Sequence, residues 1–289
     1  MLRWLAERAA LVVTEDAPFP PLAGWTRRLA EHLAERRVPL VAVDASCVVP
    51  MRMLEGRHER AYEFRSATRP LAEAALARPS VEVAPLRAPA PAELPFEPVA
   101  AAAFDDSAIA RLVAECAIDH AVGPVRALRG GAEAGYARWE AFRADGLSSY
   151  AERRNDAAVD GTSRLSPWLH YGHVSPWRIA RDAAALPPCA STQKFLDELL
   201  VWRELAWHFA SHTADLESLD ALPSWARASL DAHAADPREV LSVERLERGR
   251  TGDPLWDLAQ RSLLRRGELH NNVRMTWGKA IPGWTRSPE

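Results

Sequence analysis

Apolar and polar residues at the start of the chain follow the pattern of a strand, a helix and a second strand. Residues 10–14 and 38–43 are short apolar runs, whereas residues 22–37 repeat large apolar side chains at helical spacing. This order predicts two parallel strands joined by a helix, with a third short strand at residues 81–83. The first part of the chain is therefore predicted to be an α/β domain built on a partial, doubly wound parallel sheet.

The pattern becomes helical after a proline-rich stretch at residues 79–98, which favours an extended linker. The segments predicted to be helices are 104–121, 130–143, 176–186, 192–212, 222–234, 254–267 and 270–284. Gly278, Pro282 and Gly283 should bend or end the last of them. We therefore predict an α/β domain over residues 1–78, a linker over 79–98, and an all-α domain over 99–289.

The overall composition is that of an ordinary soluble protein, with 48% hydrophobic and 26% charged residues. No apolar run reaches the length of about 20 residues that a membrane span needs. The three cysteines fit neither a disulfide framework nor a Cys-x-x-Cys metal site, so we expect a reducing cytoplasm. The net charge of −3 neither favours nor excludes a nucleic-acid partner, because binding depends on where charge lies.

Residues 160–176 contain two Ser-Pro steps, Ser166-Pro167 and Ser175-Pro176. Serine caps the free N–H groups of a helix and proline fits its first turn, so each step predicts a helix start. Two helix starts with neighbouring hydroxyls would suit a phosphate or pyrophosphate. Capping of two ordinary helices explains the same residues, so both interpretations stay open at this point.

Two pairs of residues with helical spacing are candidates for chemistry. Glu198 and Trp202 lie four residues apart in an apolar segment, so they share one helix face. A carboxylate beside an indole suits a pocket for a flat heterocycle, although a helix edge with Glu198 in solvent is an equal alternative. His208 and His212 have metal-ligand spacing but no obvious third ligand, so no metal site is predicted.

Tryptophan is unusually frequent, with eleven residues in the chain. If the last helix were continuous, Trp277 and Trp284 would lie two turns apart on nearly the same side, about 10 Å along its axis. Together with Trp256 they form a third constellation. Core packing explains such residues in most proteins, but a row of indoles can also carry an electron to a buried redox cofactor.

Taken together, these segments resemble the photolyase/cryptochrome family, and most closely the class II cyclobutane pyrimidine dimer photolyases. The matching pieces are Tyr150 and residues 153–156, 161–172, 195–206, 222–226, 253–260 and 267–279, in the family's order. The first 78 residues fit the family's N-terminal domain more loosely. The resemblance implies light-driven repair of cyclobutane pyrimidine dimers in DNA, by electron transfer from reduced FAD.

The resemblance also implies a role for each candidate residue. Phosphates and the ribityl chain of FAD are expected against Tyr150, Thr162, Ser163, Arg164, Leu165 and Ser166, and the flavin beside Asn271 and Arg274. Glu198 is expected to hydrogen-bond the damaged pyrimidine pair, with Trp202 and Met275 packing against it and Arg154 near the DNA strand. Trp277, Trp256 and Trp284 match the class II path that reduces the flavin.

The chain departs from the family at both ends, where the opening strands and the C-terminal end are expected to be missing. The missing end carries an Asp that pairs with the arginine matched by Arg274, so we expect Arg274 to be a buried charge without a partner. Asn271 stands where class II proteins usually have Gly. The expected partner is UV-damaged DNA, bound by a monomer in the cytoplasm and at the nucleoid; the antenna chromophore is not identified.

Two alternatives follow from these departures. One is a non-repairing, flavin-binding remnant or cryptochrome-like light sensor. The other is a helical nucleic-acid-binding or scaffold protein that has lost the cofactor, against which the intact motifs at Tyr150, residues 162–166 and Glu198 argue.

Overall fold

The computed structural model describes residues 2–79, 93–97 and 104–287. Its N-terminal part contains α1 (Leu2–Ala6), β1 (Val12–Glu15), α2 (Leu22–Ala34) and β2 (Leu40–Val43). The two strands are parallel, with Val12 opposite Leu40, and α2 is the crossover between them. This confirms the predicted α/β part, whereas the predicted strand at residues 81–83 lies outside the described residues.

Helix α3 (Ala61–Leu76) joins the sheet region to the rest of the chain. Its buried face, formed by Phe64, Thr68 and Ala72, packs toward the centre of the molecule. The side chain of Thr68 donates to the carbonyl of Phe64 one turn earlier, so its hydroxyl is satisfied although it is buried.

The described residues from 104 onward contain helices and turns but no strand, which confirms the predicted all-α part. The helices are α4 (Asp106–Ala114), α5 (Ala132–Ala141), α6 (Tyr150–Arg153), α7 (Ser166–His170), α8 (Pro176–Ala184), α9 (Ala190–Asp197), α10 (Arg203–Ser211), α11 (Ser224–Ala232), α12 (Val243–Glu247), α13 (Pro254–Arg266) and α14 (Asn271–Ala280). The helix predicted over 104–121 is wrong beyond Ala114. A turn replaces it, in which the carboxylate of Asp119 accepts the backbone N–H of Ala121.

The segment predicted as one helix over 192–212 consists of α9 and α10 joined by a π-helical turn. This turn spans Glu198–Trp202, and its end is marked by the backbone N–H of Arg203, which donates to the carbonyl of Glu198. A π-helical turn fits one extra residue into a helix and is frequent at functional sites. It places Glu198 and Trp202 near the middle of the continuous helical segment at residues 190–211.

The core is centred on aromatic residues of the helical part. Trp139 stacks on Phe195 with ring centroids 5.4 Å apart, and both are buried with Ile179. A second cluster around Phe64 and Val49 includes residues of the N-terminal part and of the π-helical turn. The two parts of the chain therefore share a continuous packed interior.

Helix α14 ends at Ala280, and a 3₁₀ turn (Ile281–Trp284) follows it. The prediction that Pro282 and its neighbouring glycines end this helix is therefore confirmed. Within the described residues, no helix is both long enough and apolar enough to cross a bilayer.

Candidate functional site

A single arginine binds the backbone of the loop at residues 162–166. Arg138 of α5 donates to the backbone carbonyl of Ser163 at 2.8 Å and to that of Thr162 at 3.1 Å. Leu165 anchors the end of the loop in the hydrophobic core. With its carbonyls engaged, this stretch of backbone is fixed in one position.

Arg164 has an unusual backbone conformation within this loop. Its φ is 54°, in the left-handed region that few residues other than glycine adopt. Its guanidinium forms two hydrogen bonds with the carboxylate of Glu268, the Nε–Oε2 distance being 3.1 Å. The ion pair joins the loop to the segment between α13 and α14.

The two Ser-Pro steps behave differently. Ser175 caps α8, because its hydroxyl accepts the backbone N–H of Arg178 at 3.3 Å. Ser166 is the first residue of α7 rather than its cap, and no side chain caps that helix. The double-capping interpretation is therefore wrong at Ser166, whose side chain is exposed.

Tyr150 is buried in the same hydrophobic cluster as Leu165 of this loop. Its ring packs edge-on against Phe142 and Phe195, with centroids 5.8 and 5.7 Å away. The guanidinium carbon of Arg154 lies 5.6 Å from the centre of the same ring. Burial raises the pKa of Tyr150, and Arg154 opposes this rise only in part.

Glu198 lies between two cations. Its carboxylate is 2.7 Å from Nζ of Lys194 and 2.9 Å from a guanidinium nitrogen of Arg154. The side chains of Glu198 and Arg154 are 26% and 13% exposed, so this is a partly buried ion-pair network and not a solvated helix edge. The guanidinium of Arg154 faces Glu198, and its buried Nε has no hydrogen-bond partner among the described residues. The position of Arg154 near a DNA strand stays a prediction.

Trp202 is oriented by a neighbouring carboxylate. Its indole N–H donates to Asp197 at 3.2 Å, and the same carboxylate accepts from Arg65 of α3. Burial favours a higher pKa for Asp197, but the hydrogen bond and charge of Arg65 together with those of Lys194 lower it. Trp202 and Met275 remain about half exposed, which leaves two apolar surfaces open to a ligand.

The N-terminus of α14 is tied to the turn after α6. His270 contacts the backbone carbonyl of Arg154 at 2.9 Å, and the amide of Asn272 donates to that of Asn155 at 2.9 Å. Arg274 donates to the side chain of Asn271 at 2.8 Å. Because Arg274 is exposed, the expectation of a buried, unpaired charge at this position is wrong.

The three tryptophans of the predicted electron path are in contact. The rings of Trp256 and Trp277 are stacked at 5.8 Å with planes 11° apart, and Trp284 meets Trp256 edge-on at 5.3 Å. Trp256 donates to the carbonyl of Trp277, and Trp277 donates to Gln260, so neither indole N–H is unsatisfied. Trp256 therefore lies between the other two, rather than Trp277 and Trp284 lining one side of a continuous helix.

Sequence reasoning missed several residues that shape the site. Lys194 precedes Glu198 by four residues, a spacing that predicts an ion pair on a helix and could have revealed it. Arg138 and Glu268 are far from the loop in sequence, so only the fold shows that they hold it. His208 and His212 pack against each other and His58, and no group of potential metal ligands occurs in the described ranges.

The sequence is similar to those of known proteins. Residues 195–279 match the FAD-binding domain of DNA photolyase. The chain is 32% identical over 294 residues to the deoxyribodipyrimidine photo-lyase of Potorous tridactylus, covering 96% of this chain and 51% of that protein. It is 37% identical over 161 residues to the deoxyribodipyrimidine photo-lyase of Methanothermobacter thermautotrophicus, covering 55% of this chain and 36% of that protein.

Solved structures show the same fold. A class III photolyase from Agrobacterium tumefaciens superimposes with a TM-score of 0.72 at 21% identity, covering 97% of this chain and 56% of that one. A cryptochrome from Synechocystis gives a TM-score of 0.65 at 21% identity, covering 99% and 59%. These similarities show the fold, which is a helical domain following an α/β part.

The chain belongs to the photolyase/cryptochrome family. It spans about half the length of the Potorous tridactylus photo-lyase, at 51% of that protein.

Proposed function

We propose that this chain is a deoxyribodipyrimidine photo-lyase that repairs cyclobutane pyrimidine dimers in DNA by light-driven electron transfer from reduced FAD. The observation that carries this proposal is that the segment matching a photolyase FAD-binding domain, residues 195–279, contains both the Glu198 ion-pair network and the stacked pair Trp256 and Trp277. The curated relatives named as photo-lyases support the same reaction.

The residues present fit FAD. Residues 162–166 and Tyr150 would hold its phosphates and ribityl chain, with Asn271 and Arg274 beside the flavin. Arg154 supports this fit, because its buried Nε has no partner within residues 2–79, 93–97 and 104–287 and is available to an acceptor on a bound group. When bound, reduced FAD would supply the light-excited electron; the protein supplies binding, orientation and the electrostatic environment.

Glu198 would orient and stabilise the damaged bases. Its ion pairs with Lys194 and Arg154 hold the carboxylate in place, so that it can hydrogen-bond a pyrimidine edge. Trp202 and Met275 offer apolar surface for a flipped pyrimidine pair, as expected for an enzyme that takes bases out of the stack. Arg154, which pairs with Glu198, would lie near the DNA strand.

The stacked tryptophans would connect the protein surface to the cofactor. Because Trp256 touches both of the others, the electron would pass from Trp284 to Trp256 to Trp277. The class II assignment, the monomeric state, the cytoplasmic location and the identity of any antenna chromophore stay predictions.

A non-repairing light sensor is the second candidate. The structural similarity to a cryptochrome favours it, because the TM-score to that protein, 0.65, is close to the TM-score of 0.72 to the photolyase. Repair activity distinguishes the two, since both would bind flavin.

The first experiment is a visible absorption spectrum of the purified, desalted protein, followed by blue-light repair of an oligonucleotide containing one dimer. We expect a structured flavin band at near stoichiometric yield and loss of the dimer under light. Trp256→Phe should keep the band and slow photoreduction, while repair by chemically reduced protein stays unchanged. A folded but colourless protein would refute the enzyme proposal, and a flavin band without repair would favour the sensor.

A further inference from the structure

A carboxylate in the candidate site joins Trp202 to a helix of the N-terminal part. Nε and a terminal nitrogen of Arg65 donate to Oδ1 of Asp197, at 2.9 and 2.6 Å. Oδ2 of the same carboxylate accepts the indole N–H of Trp202 at 3.2 Å. One oxygen is therefore bound by α3 and the other by the indole. We call Arg65 and Asp197 the Trp202 anchor.

The π-helical turn at Glu198–Trp202 makes the contact between Asp197 and Trp202 possible. In a regular α-helix, two residues five positions apart point about 140° away from each other around the axis. A π-helical turn closes a hydrogen bond between residues i and i+5, so residues with this spacing come close together. Asp197 and Trp202 have this spacing. The extra residue of the turn thus brings the indole to the carboxylate.

Asp197 makes these contacts in its charged form. Burial favours the neutral form, but the hydrogen bonds and charges of Arg65 and Lys194 lower the pKa of this carboxyl. A charged carboxylate only accepts hydrogen bonds, and its hydrogen bonds are stronger than those between neutral groups. Nζ of Lys194 lies 3.3 Å from Asp197 and 2.7 Å from Glu198, so the anchor is also linked to the Glu198 ion-pair network.

Stability alone does not explain the Trp202 anchor. The side chain of Arg65 is 46% exposed, and an ion pair that faces water stabilises a fold only slightly. Apolar packing already fixes α3 to the turn, because Phe64 and Val201 are buried in one cluster. Trp202, by contrast, is 49% exposed, so packing supports only half of its surface. Such an indole can turn about its side-chain bonds unless its N–H is bound, and the anchor binds it.

We propose that Arg65 and Asp197 are positioning residues for the site of the damaged bases: they hold the indole of Trp202 in the orientation that packs against a flipped pyrimidine pair. Immobilising a side chain on binding lowers affinity, so an indole that is already fixed binds a flat ligand more tightly. The N-terminal part thereby contributes, through α3, to recognition of the damaged bases. The damaged bases as ligand rest on the proposed function, whereas the fixed indole does not.

The first measurement is the orientation of Trp202 in the purified protein, followed by ¹H–¹⁵N NMR of the indole N–H groups. Trp202→Phe identifies the Trp202 signal. Asp197→Ala should shift this signal upfield and speed up exchange of its proton with water, because the charged acceptor is lost. Asp197→Asn keeps an acceptor oxygen and should restore most of the shift. Arg65→Gln should move the signal in the same direction as Asp197→Ala, but less far.

The second measurement is binding in the dark of two labelled oligonucleotides, one with a single thymine dimer and one undamaged, by fluorescence anisotropy. Asp197→Ala should weaken binding of the dimer oligonucleotide by about three- to tenfold, the cost of immobilising one side chain, and leave binding of the undamaged one unchanged. Arg65→Gln should have a smaller effect in the same direction. The matched control is Arg69→Gln, which removes a guanidinium that pairs with Glu73 on the same helix α3 and should change neither measurement.

An unmoved indole signal in Asp197→Ala would overturn the proposal, as would an equal loss of affinity for both oligonucleotides or equal effects of Arg65→Gln and Arg69→Gln. Arg65→Gln guards against misfolding, because an exposed ion pair adds little stability and the unfolding temperature should stay the same. A wild type that does not prefer the dimer oligonucleotide, in variants of which the indole signal still shifts, would refute the proposed function but not the anchoring of Trp202.

Discussion

Glu204 joins the two parts of the chain through a buried carboxyl group. It accepts the backbone N–H of Val48 at 2.6 Å and that of Val49 at 3.3 Å, and it is fully inaccessible to solvent. Burial raises its pKa to about 8, even though both N–H groups favour the charged form. At neutral pH the native protein therefore holds a proton that the unfolded chain would release.

Glu204→Gln should change how stability depends on pH. The native pKa lies above the unfolded value, so the stabilisation from protonated Glu204 is full below about pH 4.5 and is lost as pH rises through 8. Urea unfolding at several pH values measures this effect. Between about pH 4.5 and 8, the free energy of unfolding of the wild type should fall by a few kcal/mol more than that of the variant. Parallel pH profiles for the two proteins would contradict the assignment.

His208, at the same junction, makes the stability of the protein depend on pH in the opposite direction. Its Nε2 accepts the backbone N–H of His58 at 2.9 Å, and its buried Nδ1 has no partner among the described residues. Burial first, then the neighbouring His212 and His58, lower the pKa of His208 to about 4. The unfolded chain takes up this proton earlier, so stability should fall as pH drops from about 6.5 to 4.

His208→Gln should reduce this loss of stability at acid pH while keeping an acceptor for the backbone N–H of His58. We therefore expect a lower midpoint pH in acid unfolding followed by circular dichroism. The exposed His170→Gln serves as the control, and an equal shift of the midpoint in both variants would exclude His208 as the cause.

Gly161 controls how closely the chain before the loop at residues 162–166 approaches α6. A Cβ atom at this position would lie 2.5 Å from the backbone carbonyl oxygen of Arg153, which cannot move away as a side chain would. Gly161→Ala should therefore cost about 1–3 kcal/mol in the free energy of unfolding and lower flavin occupancy. Thermal unfolding and the flavin band measure both effects.

The matched control for that substitution is Gly123→Ala, because nothing lies within 4 Å of a Cβ atom there. Equal stability of the two variants would show that the loop and α6 are not as tightly packed as described.

Asp253 begins α13, the helix that carries Trp256. Its carboxylate accepts the backbone N–H groups of Leu255 at 2.9 Å and Trp256 at 3.0 Å. Asp253→Ala should cost about 1 kcal/mol, whereas Asp253→Asn should cost little, because asparagine is an equally good cap. A calorimetric unfolding temperature that falls equally in both variants would argue for a role of the charge instead of the cap.

Single elements differ in how well the sequence predicts them. The crossover at α2 and the helices α8 and α13 follow from apolar spacing and capping residues that are local in sequence. The π-helical turn at Glu198–Trp202 does not, because this segment is apolar on nearly all sides and its periodicity cannot register one extra residue. The role of Arg138 depends on contacts across the fold, which no local pattern contains.

The two-stranded sheet leaves three valines of the N-terminal part exposed. Val13, Val41 and Val43 are 62%, 45% and 46% exposed, although parallel sheets are usually covered on both faces. V13T/V41T should keep strand propensity and change the free energy of unfolding by no more than about 0.5 kcal/mol. Sedimentation velocity should show less concentration-dependent association than for the wild type; a wild type that stays monomeric throughout would support the predicted monomer.

At the scale of the whole molecule, the sequence predicts the two-part architecture because strand and helix periodicities occupy separate regions. It does not predict how the parts join, since Glu204 and His208 read only as polar positions on an amphipathic helix. Their partners are backbone N–H groups of Val48, Val49 and His58, which are alike at every position of a sequence and are distinguished only by the fold.

The contact among Trp256, Trp277 and Trp284 also has an optical consequence. Indoles this close, one pair nearly parallel and one pair nearly perpendicular, share their ultraviolet excitation instead of absorbing separately. Their coupled transitions should produce a near-ultraviolet dichroic signal that depends on the turn at Ile281–Trp284 staying docked. The native chain thus carries its own label-free reporter, which would show detachment of the last turn before any helix melts.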